Sequence, residues 1–511
     1  MNKTCYFRIA IFDWPNVNSC TLSMGIIIKQ SIKGGIWSYT GVIIGFVTTA
    51  YLYPNYLTTD LVGLFGLLIS YSVMFAQFSS LGINGVTSRL FPYFRNPETR
   101  HNGYLFIAVS VAMAGFALFI VAYLLFSPWL IRSNTEKSAL FADHVSLLVP
   151  LTLFMLVFTV LDIYNKLLYN AVLGTFLQEF FQRLLIFGVV VLYASGLISV
   201  DWLIWLFAAA ASAKGIYLIV YLAVKGELNL KPKPGFITKK LKKEMMDVAL
   251  FSILIGAGGS LVFSIDKILV NQILGLSDTG VYTIAFFFGT LVLIPSRPLL
   301  RISGTLISDA WKRDDREYIS DIYSRSCINQ FVVAAFLFGG IWINIDNILI
   351  ILGPDYEGAK WVIFFIALAN VIEMATGANA QVIAFSKHYR VALYFLLILI
   401  FMVVLSMFLF IPKWGIVGAA VAIALSVFLN NLMRYLFILR KYNMQPFTWK
   451  FLLVPVAFGT AYFLSGAFKH MPLIPDILLR STLFSLVFGG LILLFRVSDD
   501  VNGLKNKLLK K

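Results

Sequence analysis

The chain is poor in cysteine, histidine and charge, and each shortage removes a class of function. Its three cysteines, Cys5, Cys20 and Cys327, include no CxxC pair and are too few for a disulfide framework. Four histidines (His101, His144, His388 and His470) lie scattered without metal-ligand spacing, which argues against metal-dependent chemistry. There is no Walker loop, no Ser/His/Asp order that would build a triad, and no soluble ATPase domain, so no cofactor is expected. Charged residues make up 13% of the 511, against about 25% in an average soluble chain. With 59% hydrophobic residues and 46 Phe, the chain is neither soluble and globular nor disordered.

Long apolar runs are what it has in abundance. Spans of bilayer length fall at about 35–53, 61–83, 104–126, 146–167, 176–196, 202–224, 248–272, 280–299, 328–351, 361–384, 391–411, 415–438, 450–468 and 477–496. The expected fold class is an all-α polytopic membrane protein of about 14 transmembrane helices. Charge placement orients it. With the N-terminus inside, 32 of the 41 Lys and Arg fall on the inner side, six on the outer side and three within spans. That is the bias the positive-inside rule expects, and it puts both termini in the cytoplasm. The net charge of +16 therefore belongs to a membrane surface and not to nucleic acid.

Residues 1–24 read as a non-conforming extension. They carry Asp13, Pro15 and Asn18 and no apolar core of signal-peptide length, and Met24 opens an ordinary inner-membrane start. Spans 1–6 (25–225) and spans 7–12 (248–440) are divided by a basic linker, 226–247, with Lys231-Pro232-Lys233-Pro234-Gly235 and then Lys239, Lys240, Lys242 and Lys243. Spans 13–14 and a basic cytoplasmic tail occupy 441–511. A faint repeat relates the halves: Asp60-Leu61-Val62-Gly63-Leu64 opens span 2, and Asp278-Thr279-Gly280-Val281-Tyr282 opens span 8. In both, an acid sits where the helix dipole favours it. An even number of spans per half gives parallel repeats about an axis along the membrane normal. The outer loops are short, the largest being about 127–145, and Asp60 reads as a helix N-cap and not a catalytic acid. An enzyme is not expected.

Ionisable groups inside a bilayer cost about 2.5–3.5 kcal/mol each at a helix centre, so they face a partner or a watery cavity. Lys214 is the deepest cation, among Ala208 to Ala211 and Gly215 in span 6. It reads as a cavity cation for an anionic headgroup, or as the partner of a carboxylate on a nearby helix. Glu373, mid-span 10, either pairs with Lys214 across the halves until substrate enters, or serves as a protonatable acid for H+ or Na+ coupling. Asp266 and Lys267, adjacent in span 7, point about 100° apart, so one faces the lumen while the other snorkels or pairs. Gly256 to Gly259 upstream make that helix easy to bend. Glu179 and Arg183 lie one turn apart in span 5, and with Asp162 they form an expected ion-pair cluster near the cytosolic side. Arg297 and Arg301 sit at the inner mouth of span 8, as interface anchors or as the first cations a phosphate would meet. The cavity as a whole carries more cations than anions, which favours an anionic substrate.

The stretches Gly41-Val42-Ile43-Ile44-Gly45-Phe46, Leu52-Tyr53-Pro54, Asp60 to Gly66, Ser79-Ser80-Leu81-Gly82-Ile83 with Arg89, Asp266, the start of span 8, and Ile411 to Ala420 stand in an order and spacing that resembles the Wzx-type flippases of O-antigen and polysaccharide synthesis. The resemblance runs over about residues 25–450. It implies the multidrug/oligosaccharidyl-lipid/polysaccharide exporter fold: two six-helix lobes in a V, plus two C-terminal helices. It also implies an undecaprenyl-pyrophosphate-linked oligosaccharide as substrate, carried across a bacterial inner membrane, with membrane lipids and polysaccharide polymerase machinery as partners. Two cousins fit less well. Multidrug exporters of that superfamily keep a carboxylate deep in span 1, where this chain has neither Asp nor Glu, and lipid II flippases have an arginine-rich first helix that is not matched here.

Overall fold

The computed structural model describes residues 21–233, 235–467, 472–498, 500 and 502, with no strand among the described residues. Residues 1–20, on which the expectation of a Met24 start turns, lie outside them. The first half contains α1 (Thr21–Phe46), α2 (Tyr53–Tyr56), α3 (Thr59–Ser79), α4 (Ile83–Phe94), α5 (Tyr104–Asn134), α6 (Ala139–Asp143), α7 (Leu148–Leu167), α8 (Ala171–Thr175), α9 (Gln182–Ala194) and α10 (Val200–Val224). The second contains α11 (Lys239–Leu274), α12 (Leu276–Thr290), α13 (Ser296–Lys312), α14 (Arg316–Ile343), α15 (Ile345–Leu352), α16 (Ala359–Ala375), α17 (Asn379–Ala384) and α18 (Arg390–Tyr442), followed by α19 (Lys450–Gly466) and α20 (Leu473–Leu494). Two π-helical segments, Val47–Leu52 and Phe176–Phe181, continue α1 and lead into α9.

Among the described residues, eleven helical stretches are long and apolar enough to cross a membrane. In hydrocarbon only a helix satisfies its own backbone without strands to pair with, so the chain is a multi-pass helical membrane protein. The 53-residue α18 is two arms. Gly415 sits at φ 57°, ψ −139°, a conformation that glycine holds at little cost. The arms then fold back on each other, bringing Ser406 Oγ to 3.3 Å from Ser426 Oγ.

The sequence reading needs three local corrections. The stretches after α3 and α12, expected as loops, are the amphipathic helices α4 and α13, which bury Val86, Leu90, Ile307 and Ala310. Lys239 to Lys243 are likewise not loop: α11 starts at Lys239, capped by Thr238 Oγ1, which accepts from Leu241 N at 3.2 Å. Asp60 is not the N-cap of α3. Thr58 fills that position, and Asp60 stands in the first turn, where the helix dipole still favours it.

The two halves meet where α3 lies along α12 and α11. Gly63 and Gly280 permit this: a Cβ on Gly280 would come 1.9 Å from the Thr59 carbonyl oxygen, and one on Gly63 would come 2.2 Å from that of Leu276. Thr59 and Ser277, the residues just before the two repeat aspartates, are hydrogen bonded at 2.7 Å. At the same end Asn271 donates to Asn134 Oδ1 (2.6 Å) and accepts from Ser138 (2.6 Å), while Lys137 Nζ donates to the Ile273 carbonyl (2.7 Å). At the opposite end the segment leading into α11 and the first turns of that helix pack into the apolar core of the first half, with Phe236 against Phe94 and Ala249 against Gly82. The helices α19 and α20 pack on each other and on α14.

Candidate functional site

Four of the expected site residues converge between α7, α9 and α10. Lys214 is buried on α10, and its ammonium lies 4.8 Å from the ring centre of Phe158 on α7, a cation–π contact. Gly215 allows this approach, because any Cβ there would come 2.5 Å from the Phe154 carbonyl oxygen. Asp162, one turn beyond Phe158, is buried and paired with Lys166, and lies with Glu179 within Coulomb range of Lys214. Gly174 makes room for it: a Cβ there would meet Asp162 Oδ1 at 1.7 Å.

Glu179 lies in the π-helical turn Phe176–Phe181, and its carboxylate accepts from Arg183 at 2.8 Å. Arg183 donates a second hydrogen bond, from NH1 to the Gly41 carbonyl of α1 at 3.0 Å. Gly41 and Gly45, four residues apart, let α1 come this close. A Cβ on Gly41 would lie 1.7 Å from the Glu179 carbonyl oxygen, and one on Gly45 would lie 3.0 Å from Arg183. The close approach of small residues at this spacing is a recurrent way for membrane helices to associate, and π-bulges recur at functional sites. The expected Glu179–Arg183 pair is therefore formed and holds α1, while Asp162 pairs instead with Lys166 on its own helix. Two carboxylates face three cations, Lys166, Arg183 and Lys214. From the other half Arg297 adds a fourth cation within Coulomb range of Arg183. Arg297 and Arg301 are exposed, one turn apart at the start of α13.

The other expected residues are partnered within the second half. Asp266 is fully buried and accepts from the Tyr282 hydroxyl of α12 at 3.0 Å, so it is the member of its pair that binds a neighbouring helix. Lys267 is half-buried, with its ammonium 5.2 Å from the ring centre of Phe286. Glu373 accepts from Asn431 at 2.6 Å and pairs with Arg434 at 3.8 Å. The expected Lys214–Glu373 pair across the halves is thus not formed, because each group has partners within its own half. Sequence reasoning missed Arg434, which it counted only as an inner-end cation, and Asn431. Both lie on the second arm of α18, and their polarity within an apolar helix was the available signal. It also missed Asp476 and Arg480, a buried i,i+4 pair at 2.7 Å in which Asp476 also accepts from Asn347 at 2.6 Å. Among the described residues no group of three or more His, Cys, Asp or Glu could hold a metal ion.

The described residues thus form a multi-pass helical bundle jointed at a tight helix seam, the architecture of a polytopic membrane protein. Residues 31–303 match the polysaccharide biosynthesis protein family, and the chain belongs to that family. The probable low-salt glycan biosynthesis flippase Agl15 of Haloferax volcanii is 23% identical over 205 residues, covering 39% of this chain and 42% of that protein. The match thus spans less than half the length of that relative. The fold is shared with the inward closed lipid II flippase MurJ, at TM-score 0.71 and 12% identity over 91% of this chain and 98% of that one. An inward-facing multidrug resistance MATE family transporter of the MOP superfamily superposes at TM-score 0.60 and 13% identity, over 81% of this chain and 94% of its own.

Proposed function

We propose that this protein is a flippase that moves a polyprenyl-pyrophosphate-linked oligosaccharide across a bacterial inner membrane by alternating access. The observation that carries the reading is the cation excess of the α7–α9–α10 cluster, where Lys166, Arg183 and the buried Lys214 outnumber the carboxylates Asp162 and Glu179, with the exposed Arg297 adding a further cation from the other half. Fourteen spans with both ends cytoplasmic fit the chain. When α18 counts as two and the 17-residue α16 and α19 are added, the eleven long apolar stretches become fourteen. The distribution of Lys and Arg then orients the α11-start end to the cytoplasm.

In this reading the pyrophosphate meets Arg297 and Arg301 first, then the Arg183 fork, Lys214 and Lys267, while the polyprenyl tail stays in lipid. Charge-assisted hydrogen bonds from Arg to phosphate, about 1.5–3 kcal/mol each, supply the attraction. Asp162, Glu179, Asp266 and Glu373 are the carboxylates available for H+ or Na+ coupling. O-antigen, capsule and exopolysaccharide units are the substrate candidates, delivered to polymerase machinery on the outer face.

The test is surface polymer in cells lacking their endogenous flippase, with a leaflet-resolved assay of the lipid-linked oligosaccharide. Wild type restores export, Lys214→Ala abolishes it with the protein still folded and inserted, and Lys214→Arg keeps part of it. If both variants behave as wild type, Lys214 is structural. If wild type restores no glycan but confers resistance to cationic dyes, the flippase reading is replaced by drug export.

A further inference from the structure

At the Asp60 end, beside the seam between the halves, lies an open cavity of about 510 Å³, within the roughly 300–1,000 Å³ range of ligand pockets. It is built where the first turn of α3, the turn before α6, the end of α9 and the first residue of α12 come together. Its polar rim carries Asp60 and Glu136, both exposed and without an ion pair among the described residues, and Tyr193. Its apolar floor includes the buried Leu61 and Leu276. Lys137 also lines it, but the ammonium is held by the Ile273 carbonyl.

We propose that this cavity is an outer-face site for the glycan headgroup of the substrate, a proposal that rests on the flippase reading above. A sugar ring presents hydroxyls around its edge and apolar C–H faces above and below. Carboxylates accept from the hydroxyls, while an aromatic ring and leucines cover the faces. The sign of the charge selects which part of the substrate binds. Asp60 and Glu136 repel a pyrophosphate, so the site takes neutral or amino sugars, whereas the cationic cluster takes the phosphates. A metal ion is a poorer fit, since only two carboxylates line the cavity and the ammonium-bearing Lys137 lines it beside them.

The walls of the cavity also close the seam. Lys137 and Ser138 bond to Ile273 and Asn271 of α11, and Leu276 N donates to the Lys137 carbonyl at 3.3 Å. A headgroup that fits the assembled cavity binds the seam-closed state in preference to the open one. By linkage it must stabilise that state. Glycan on the outer side thus resets the carrier after release and slows it when export outruns consumption.

The experiment uses full-length protein in lipid nanodiscs and, as probe, the repeat-unit oligosaccharide released by mild acid from the host's own lipid-linked glycan. Binding is read by isothermal titration. Seam opening is read from the maleimide labelling rate of Thr279→Cys, a position buried at the seam. The glycan should slow labelling at least threefold at saturation. The Asp60→Asn/Glu136→Gln pair should weaken binding at least tenfold with an unchanged melting temperature, and Tyr193→Phe, which keeps the packed ring, should bind as wild type while Tyr193→Ala weakens binding. Export in cells with no glycan binding in vitro overturns the site and leaves the flippase reading standing. Absence of both overturns both. Binding that neither the double variant nor Tyr193→Ala weakens, or that leaves labelling unchanged, also overturns the proposal.

Discussion

Substituting Gly280 by alanine puts one methyl group into a tight backbone contact that joins the two halves. The new Cβ would lie 1.9 Å from the Thr59 carbonyl oxygen and 3.1 Å from Gly63 N. Ordinary contact is about 3.5 Å, so α3 and α12 must separate by roughly 1.5 Å. Both neighbours are backbone atoms and cannot rotate away. That shift breaks the 2.7 Å Thr59–Ser277 bond, worth about 0.5–1.5 kcal/mol, on top of an overpacking cost of about 1–3 kcal/mol. Together these destabilise the closed seam by about 2–4 kcal/mol, roughly a thirty- to thousand-fold change in its population at 1.4 kcal/mol per decade. The assay is maleimide labelling of Thr279→Cys in the Gly280→Ala background. The rate should rise by more than tenfold, and Gly63→Ala, aimed at the Leu276 carbonyl, should reproduce it. Unchanged labelling together with unchanged thermal stability would refute the reasoning, because the helices would then not be within glycine distance.

Three further outcomes follow from the packing. Arg183→Lys keeps the charge but loses the fork that reaches Glu179 and the Gly41 carbonyl together. Export should fall severalfold, and accessibility of an α1 cysteine probe should rise; equal export and accessibility would mean that the clamp on α1 is idle. Gly174→Ala drives a methyl into Asp162 Oδ1, so the melting temperature should drop by several degrees for about 1–3 kcal/mol, and the companion Asp162→Ala should relieve part of the loss. Asp476→Ala breaks a buried pair with Arg480 and the bond to Asn347. A cost of about 3–5 kcal/mol is expected in thermal or denaturant unfolding, and a change under 1 kcal/mol would show that the C-terminal helices do not depend on it.

Much of this was legible from the residues, because a bilayer reduces the problem to a few variables. A run of about 20 apolar residues has no low-energy alternative to a helix, so the spans could be read off singly. The break expected between the spans 391–411 and 415–438 falls at Gly415, where α18 turns back on itself. The Glu179–Arg183 pair was visible because i,i+4 neighbours on a helix meet whatever the rest of the chain does. Asp60 misled because its position, one residue inside the helix start, lies only two residues beyond the N-cap Thr58.

Composition and local spacing by themselves therefore determined the fold class and the long apolar helices, since each depends on solvent or on neighbours within a turn. The partners of the buried charges were decided only by the tertiary structure. Lys214 meets Phe158 and not Glu373, and Glu373 meets Arg434, 61 residues away in the chain. So too with the seam: nothing local says that Gly63 will face Leu276, more than 200 residues on. Such contacts depend on how rigid helices rotate and tilt against each other, and in lipid that choice is made by close packing and by finding each buried polar group a partner.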